Sequence, residues 1–522
     1  MKVRCADAVF FNGKIVTFGR KVGTVSAIAV EDGWAVSVGG DREVKGQAPR
    51  GCDRYDLGGR VVVPGFVDSH THFVQMGVDA MSVDLTRTKS KAEALALLGA
   101  AAKKAPKGEW IIGTGWKESG WTEAQFVTGN DLDISCPDNP AVAHRVCGHM
   151  STVNSEGVSL LGIDSKTPDA DRDSAGRPTG ILRESAVGIA RAATAPDEAK
   201  RRKGLQNAIR KAHSLGVTSI HDNGQSADIA LYREAERARK LGVRVWFNIP
   251  SEDIDSVLAL HITPGLGSDM LKLGGLKVFC DGALGARSAS LSEPYADDPG
   301  NTGALVHHKS DFVAMIEQAN DAGVQLAIHA IGDVGIDVTL AAIKSALGKS
   351  PRDNHRHRIE HLELPSRSHL RTMRKLGVIA SMQPNFIGEW GGTEGMYLTR
   401  LGKNRTARNN PFREVLDEKV KLVFGSDCMP FSPAYGILSA VSAPHEAQRI
   451  SVHEAFSAYS RDAVYASFEE DLKGTLEVGR LADFVVLSAD PFVAGADMRS
   501  VSVVKTVLGG EVVYDRSRHR EA

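Results

Sequence analysis

Through the middle of the chain, short continuous apolar runs alternate with longer amphipathic stretches. The runs read as strands buried on both faces and the stretches as helices packed against them, the pattern of a parallel α/β sheet. The first run, residues 61–67, is Val61-Val62-Val63-Pro64-Gly65-Phe66-Val67. Others follow at 217–220, 243–247, 276–280, 324–329, 357–361, 378–382 and 422–427. Helical stretches lie at 90–104, 197–215 and 226–241, the last two ending at Gly216 and Gly242, as helix C-termini favour. Eight strands alternating with helices is the count of a TIM-like (β/α)8 barrel.

The ends of the chain have a different texture. Before residue 60, Ala8-Val9-Phe10-Phe11 runs into Asn12-Gly13, a hairpin signal, and further short alternating runs follow. Beyond residue 470, Phe484-Val485-Val486-Leu487 and Val503-Val504-Lys505-Thr506-Val507-Leu508 repeat that texture. Neither end has enough strands for an independent sheet, so the two are expected to pair into one β-sandwich. Residues at about 105–195 break the alternation with a polar, Gly/Pro-rich stretch. The expected organisation is a sandwich from 1–60 and 470–522, a barrel over 61–469, and an insertion at about 105–195 that covers the barrel mouth.

Composition changes this picture little. A chain of 522 residues with 42% hydrophobic and 24% charged residues suits a large soluble enzyme. A formal net charge of −1 argues against nucleic acid and anionic membrane as partners. The six cysteines are scattered without a Cys-x-x-Cys pair, and the N-terminus carries no long apolar run; both fit a cytoplasmic protein.

The chemistry sits where the apolar runs end. The first leads into His70-Thr71-His72, whose i, i+2 spacing aims two imidazoles the same way on a strand. Alone, that pattern is matched by two polar residues ending a buried strand. But the fifth run ends at His329, the sixth at His361 and the eighth at Asp427, while the fourth carries Lys277. The C-terminal ends of barrel strands share one face, where catalytic groups collect. Four histidines and an aspartate converging there point to a divalent metal, with imidazole and carboxylate suiting zinc and related ions. Lys277 leaves two readings open: a salt bridge to Asp281 or another acid, or an amine converted by CO2 into an anionic carbamate that bridges two cations.

His70-Thr71-His72, His329, His361 and Gly425-Ser426-Asp427 resemble the amidohydrolase superfamily of metal-dependent hydrolases. So does the tail Gly474-Thr475-Leu476-Glu477-Val478-Gly479-Arg480-Leu481-Ala482-Asp483. Asp281-Gly282-Ala283-Leu284-Gly285-Ala286-Arg287-Ser288-Ala289 and Arg358-Ile359-Glu360-His361 narrow the resemblance to the YtcJ-like branch, which includes N-substituted formamide deformylase. The resemblance implies that His70, His72 and Asp427 bind the more buried metal and that His329 and His361 bind a second. Lys277 matches the lysine that is carboxylated in binuclear members. It implies one or two metals, zinc foremost, per chain.

It also implies a hydrolase of a C–N bond other than a peptide bond, in an amide, formamide or cyclic amide. Asp427 would take a proton from water and return it to the leaving group. Deaminase or ester and lactone hydrolase chemistry on the same core is the alternative, and an inactive metal-stabilised regulator is a third reading. His149 in the insertion is a candidate donor to the developing oxyanion. Arg287, His221 and Trp116 are candidate substrate contacts, each with a competing structural role. The partner this chemistry calls for is a small molecule; homo-oligomer formation stays open.

Overall fold

The computed structural model describes residues 7–19, 23–49, 51–118, 121–123, 125–145, 150–392 and 394–519. The chain forms two compact units, one of Met1–Phe73 with Ala208–Ala522 and one of Val74–Asn207.

The first unit holds the barrel. Its strands are Phe66–Thr71, Val217–Asp222, Arg244–Pro250, Leu271–Phe279, Leu326–Ala330, Arg358–His361, Ile379–Met382 and Leu422–Phe424. They lie side by side in chain order, each paired in parallel with the next. The eighth meets the first just past its end, where the Asp427 amide donates to the His70 carbonyl at 2.8 Å. Nearly every barrel-strand residue is buried, which is why these segments read as unbroken apolar runs.

The same unit holds two further sheets from the chain ends. Trp34–Gly39, Ala27–Glu31, Ala8–Phe11 and Asp53–Asp56 form one; Glu511–Asp515, Val503–Leu508, Phe484–Leu487, Val61–Pro64, Lys14–Val16 and Thr24–Val25 form the other. Phe10, Ile15, Ile28, Val62, Phe484 and Val507 share one core between them.

The first apolar run is therefore two strands, not one. Val61–Pro64 pairs with Phe484–Leu487 in the sandwich, and Phe66–Thr71 begins the barrel. Gly65 makes the crossing possible: a Cβ there would lie 2.2 Å from Thr218 Oγ1. On either side of that point, the Gly65 amide donates to Asp483 and the Phe66 amide to Gly216.

The second unit is larger than the expected insertion at 105–195. It carries a six-stranded sheet ordered Ala170–Arg172, Pro178–Arg183, Met150–Val153, Ala141–Arg145, Ile111–Trp116 and Val83–Asp84. The helix expected to follow the first barrel strand, Lys91–Ala102, instead buries Ala94 and Leu98 in this unit's core with Ile111, Trp116 and Leu132. Among the described residues, no helix is long and apolar enough to cross a membrane.

Candidate metal centre

The barrel strands deliver the predicted groups to one place. His70 is fully buried at the end of the first strand, with its ring centroid 5.8 Å from His72 and 4.7 Å from His361. His329, on the fifth strand, stands 4.4 Å from His361. Asp427 Oδ1 lies 3.3 Å from His72 Nε2 and 3.7 Å from His70 Nε2. One ligand atom each from His70, His72 and Asp427 falls within 4.8 Å of the others, compact enough to hold one ion.

Local backbone geometry aims these groups. Gly425 lets the end of the eighth strand pass against the first: a Cβ there would meet the His70 amide nitrogen at 2.4 Å. Two residues on, Asp427 and Cys428 adopt left-handed φ values of 52° and 61°. His361 has φ 71°. By strand alternation His361 belongs with His357, which faces outward and pairs with Asn320 on the helix Lys309–Asp321. The left-handed turn redirects His361 toward the other imidazoles. Non-glycine residues in this region cost energy and concentrate at functional sites.

Hydrogen bonds set the tautomers. His70 Nδ1 donates to Glu360 Oε2 at 2.6 Å, which leaves Nε2 buried without a hydrogen-bond partner. His72 Nδ1 donates to the Asn223 carbonyl at 3.0 Å and turns its Nε2 to Asp427. His329 Nε2 donates to the Gly282 carbonyl at 3.1 Å, leaving its Nδ1 as the free acceptor. His361 Nδ1 and Lys277 Nζ are also buried without partners. A cluster of bare imidazole nitrogens, with His70, His72 and His329 each fixed through the other ring nitrogen, fits a divalent cation.

Charge agrees. Burial, and then the Lys277 ammonium, hold His329 down to about 3 and push His70 below its ordinary value. Burial, then the neighbouring His329 and His70, keep His361 well below. All three rings are neutral at physiological pH, as metal ligands must be. Burial opposes the charged form of His72, but hydrogen bonding to Asp427 and the attraction of that carboxylate together shift it up. For Asp427, burial raises the carboxyl, but His70, His72 and Lys277 together bring it below the ordinary range. Burial drives Lys277 down to about 8 against the attraction of Glu360 and Asp427. Its Nζ rests 4.6 Å from the Phe279 ring centroid and forms no salt bridge, with Asp281 or any other acid, among the described residues.

Asp281 has another task. Its Oδ2 accepts from the Ser290 and Gly332 amides and its Oδ1 from Ile331, tying together the loops after the fourth and fifth strands.

Three of the residues read as candidate substrate contacts have structural partners instead. Trp116 is fully buried in the core of the other unit, stacked on Trp121 and donating from Nε1 to the Ala143 carbonyl, with no surface for a substrate. Arg287 makes a two-point ion pair with Asp297, which Arg400 shares, so its guanidinium is spent within the loops. His221 is buried in the barrel interior, where its Nδ1 accepts from Arg358 Nη1 at 2.7 Å. His149 lies outside the described residues.

The structure adds residues that the sequence reading did not single out. Glu360 and Arg358 are fully buried one residue apart on the sixth strand and pair at 2.6 Å. Burial raises Glu360, but Arg358 and His70 outweigh it and hold the carboxyl well below its usual range. Asp68 accepts from the Ser426 amide at 2.8 Å and Asp222 from the Phe73 amide at 2.7 Å, bracing the segments around His70 and His72. The available signal was opposite charges at i and i+2 in an otherwise apolar strand.

Comparison with known proteins places this site in a family. The model of the Amidohydrolase family matches residues 53–514. The Bacillus subtilis (strain 168) protein YtcJ, named as an amidohydrolase, is 31% identical over 98% of this chain and 100% of its own. N-substituted formamide deformylase of Arthrobacter pascens is 28% identical over 98% and 99%. The crystal structure of an uncharacterised metal-dependent hydrolase from Pyrococcus furiosus, 30% identical, superposes with a TM-score of 0.78 over 93% of this chain and 100% of that one. Together with the converging histidines and Asp427, these matches show that the chain is an enzyme of the amidohydrolase family.

Proposed function

We propose that the protein hydrolyses a C–N bond in a small-molecule amide, formamide or cyclic amide, using zinc or a related divalent ion. The observation that carries this reading is the set of unpartnered, buried ligand atoms on His70, His361 and Lys277 beside the His72–Asp427 pair. His70, His72 and Asp427 would hold one ion, and His329 with His361 a second. Lys277, if carboxylated, would supply an anionic ligand to both. A bound divalent ion lowers the pKa of water from about 15.7 toward roughly 7 and polarises a carbonyl oxygen.

The chain's own residues then manage the proton. Asp427 is ionised at neutral pH, so its carboxylate accepts the proton released when water adds to the acyl carbon. As the C–N bond breaks, the same oxygen returns that proton to the leaving nitrogen, giving a carboxylate and an amine. His72, with its Nδ1 fixed on the Asn223 carbonyl, turns its Nε2 to the side of Asp427, where both would face the same ion. The likeness to N-substituted formamide deformylase supports nitrogen rather than oxygen as the leaving atom.

The test is amine release from a panel of N-substituted formamides, N-acyl amines and cyclic amides, with matched esters alongside. Asp427→Asn is expected to keep the fold and lose roughly 10²–10⁴-fold in turnover, the usual contribution of general acid–base catalysis. Wild-type turnover in that variant removes Asp427 from this role. Hydrolysis of the esters alone overturns the assignment of the bond.

A further inference from the structure

The sixth barrel strand carries a charge pair that the proposed reaction does not use. Arg358 and Glu360 point into the barrel interior, and both are completely buried. Burying two charges is costly, and an apolar pair of the same size often serves stability equally well or better. Stability alone therefore does not account for them.

Their contacts run in one direction. Arg358 Nη1 is anchored on His221 Nδ1, from the second strand, at 2.7 Å. Arg358 Nε faces Glu360 Oε1 at 2.6 Å. Glu360 Oε2, the oxygen left over, accepts from His70 Nδ1, on the first strand, at 2.6 Å. The guanidinium holds the carboxylate by charge, the contact being out of hydrogen-bond alignment, and Glu360 Oε2 is hydrogen-bonded to His70 and to no other group among the described residues. That oxygen dictates which ring nitrogen of His70 carries the hydrogen. It leaves Nε2 bare, 3.7 Å from Asp427 Oδ1.

We infer that Arg358 and Glu360 are positioning residues that hold His70 in the one tautomer and ring orientation able to bind the metal ion, with His221 as their far anchor. This rests on the metal reading above and extends it from the ligands to the groups that aim them. Partners that orient ligating histidines typically change metal affinity or activity by roughly 10–100-fold when lost.

The test is competition for Zn²⁺ against a chromophoric chelator, using the full chain with folding checked by circular dichroism. Glu360→Gln keeps the shape but removes the charge, and is expected to weaken zinc binding by roughly 10–100-fold. Because it strands the Arg358 charge and endangers the fold, Arg358→Met/Glu360→Gln is measured beside it. That double variant removes both charges and is expected to fold while still binding zinc roughly 10–100-fold more weakly than the wild type. Arg244→Met/Asp483→Asn removes a different buried ion pair, at the start of the third strand, and is expected to leave zinc affinity unchanged. Wild-type affinity in the Arg358/Glu360 double variant, or an equal loss in the Arg244/Asp483 control, overturns the positioning role alone. A wild-type protein that binds no zinc overturns the metal reading as well.

Discussion

Replacing Lys277 with methionine should stabilise the metal-free protein. The lysine is 4% exposed, its Nζ has no hydrogen-bond partner, and burial brings its amine from 10.5 to about 8. The folded chain thus holds this proton less tightly than the unfolded chain. Between about 8 and 10.5 the unfolded state binds more protons, so stability rises with pH across that window, and the full cost is present below it. The interval between those values, at about 1.4 kcal/mol per pH unit, amounts to roughly 3 kcal/mol. Methionine has a similar length and no charge to desolvate. In chelator and CO2-free buffer, Lys277→Met should be up to roughly 3 kcal/mol more stable at pH 7, and the two curves should converge above about pH 10.5. Urea unfolding of both proteins from pH 7 to 10.5 measures the difference directly. With zinc and bicarbonate the order should reverse, because only the wild type can form the carbamate ligand. A variant equal to or less stable than the wild type at pH 7 without metal would refute the account of Lys277 as an unpartnered, desolvated amine.

Other substitutions probe the surrounding frame. Gly425→Ala should lower stability by about 1–3 kcal/mol through overpacking and weaken metal binding, since the new Cβ would press on the His70 backbone; an unperturbed zinc affinity would show that the two strands can part freely. Arg244→Met leaves buried Asp483 unpaired and should cost about 3–5 kcal/mol in denaturant unfolding, with zinc affinity intact. His72 is the one site histidine shifted upward, so in Lys277→Met, where no lysine proton competes, zinc affinity should rise about tenfold per pH unit until pH passes the His72 value above 6.5, then level off. The same proton works in the opposite sense on the metal-free fold: its stabilisation is full below pH 6.5 and fades as pH rises through the folded value. A steeper dependence, from several protons, would mean that His70, His329 and His361 are not neutral at the outset.

The barrel was legible because its strands are buried on both faces and so leave unbroken apolar runs. His70, His329, His361 and Asp427 were legible because each follows such a run. The boundary at Gly65 was not, because Phe66 and Val67 continue the apolar run of Val61–Pro64 and only their pairing partners separate them. The start of the second unit was hidden for a similar reason. Val83–Asp84 is too short to signal a strand, and Lys91–Ala102 reads as a helix whichever core receives Leu98. Trp116 and Arg287 have side chains suited to a pocket, and their actual partners, Ala143 and Asp297, are set by tertiary contacts that spacing does not encode. Glu360 was in view within Arg358-Ile359-Glu360-His361, but its role depends on a neighbour 290 positions away in sequence.

The most direct measurement of the central claim is metal content per chain, for wild type and Lys277→Ala purified without chelator and with bicarbonate present. The account predicts two divalent ions in the wild type and fewer in the variant. A wild-type protein that carries no metal under those conditions would contradict it.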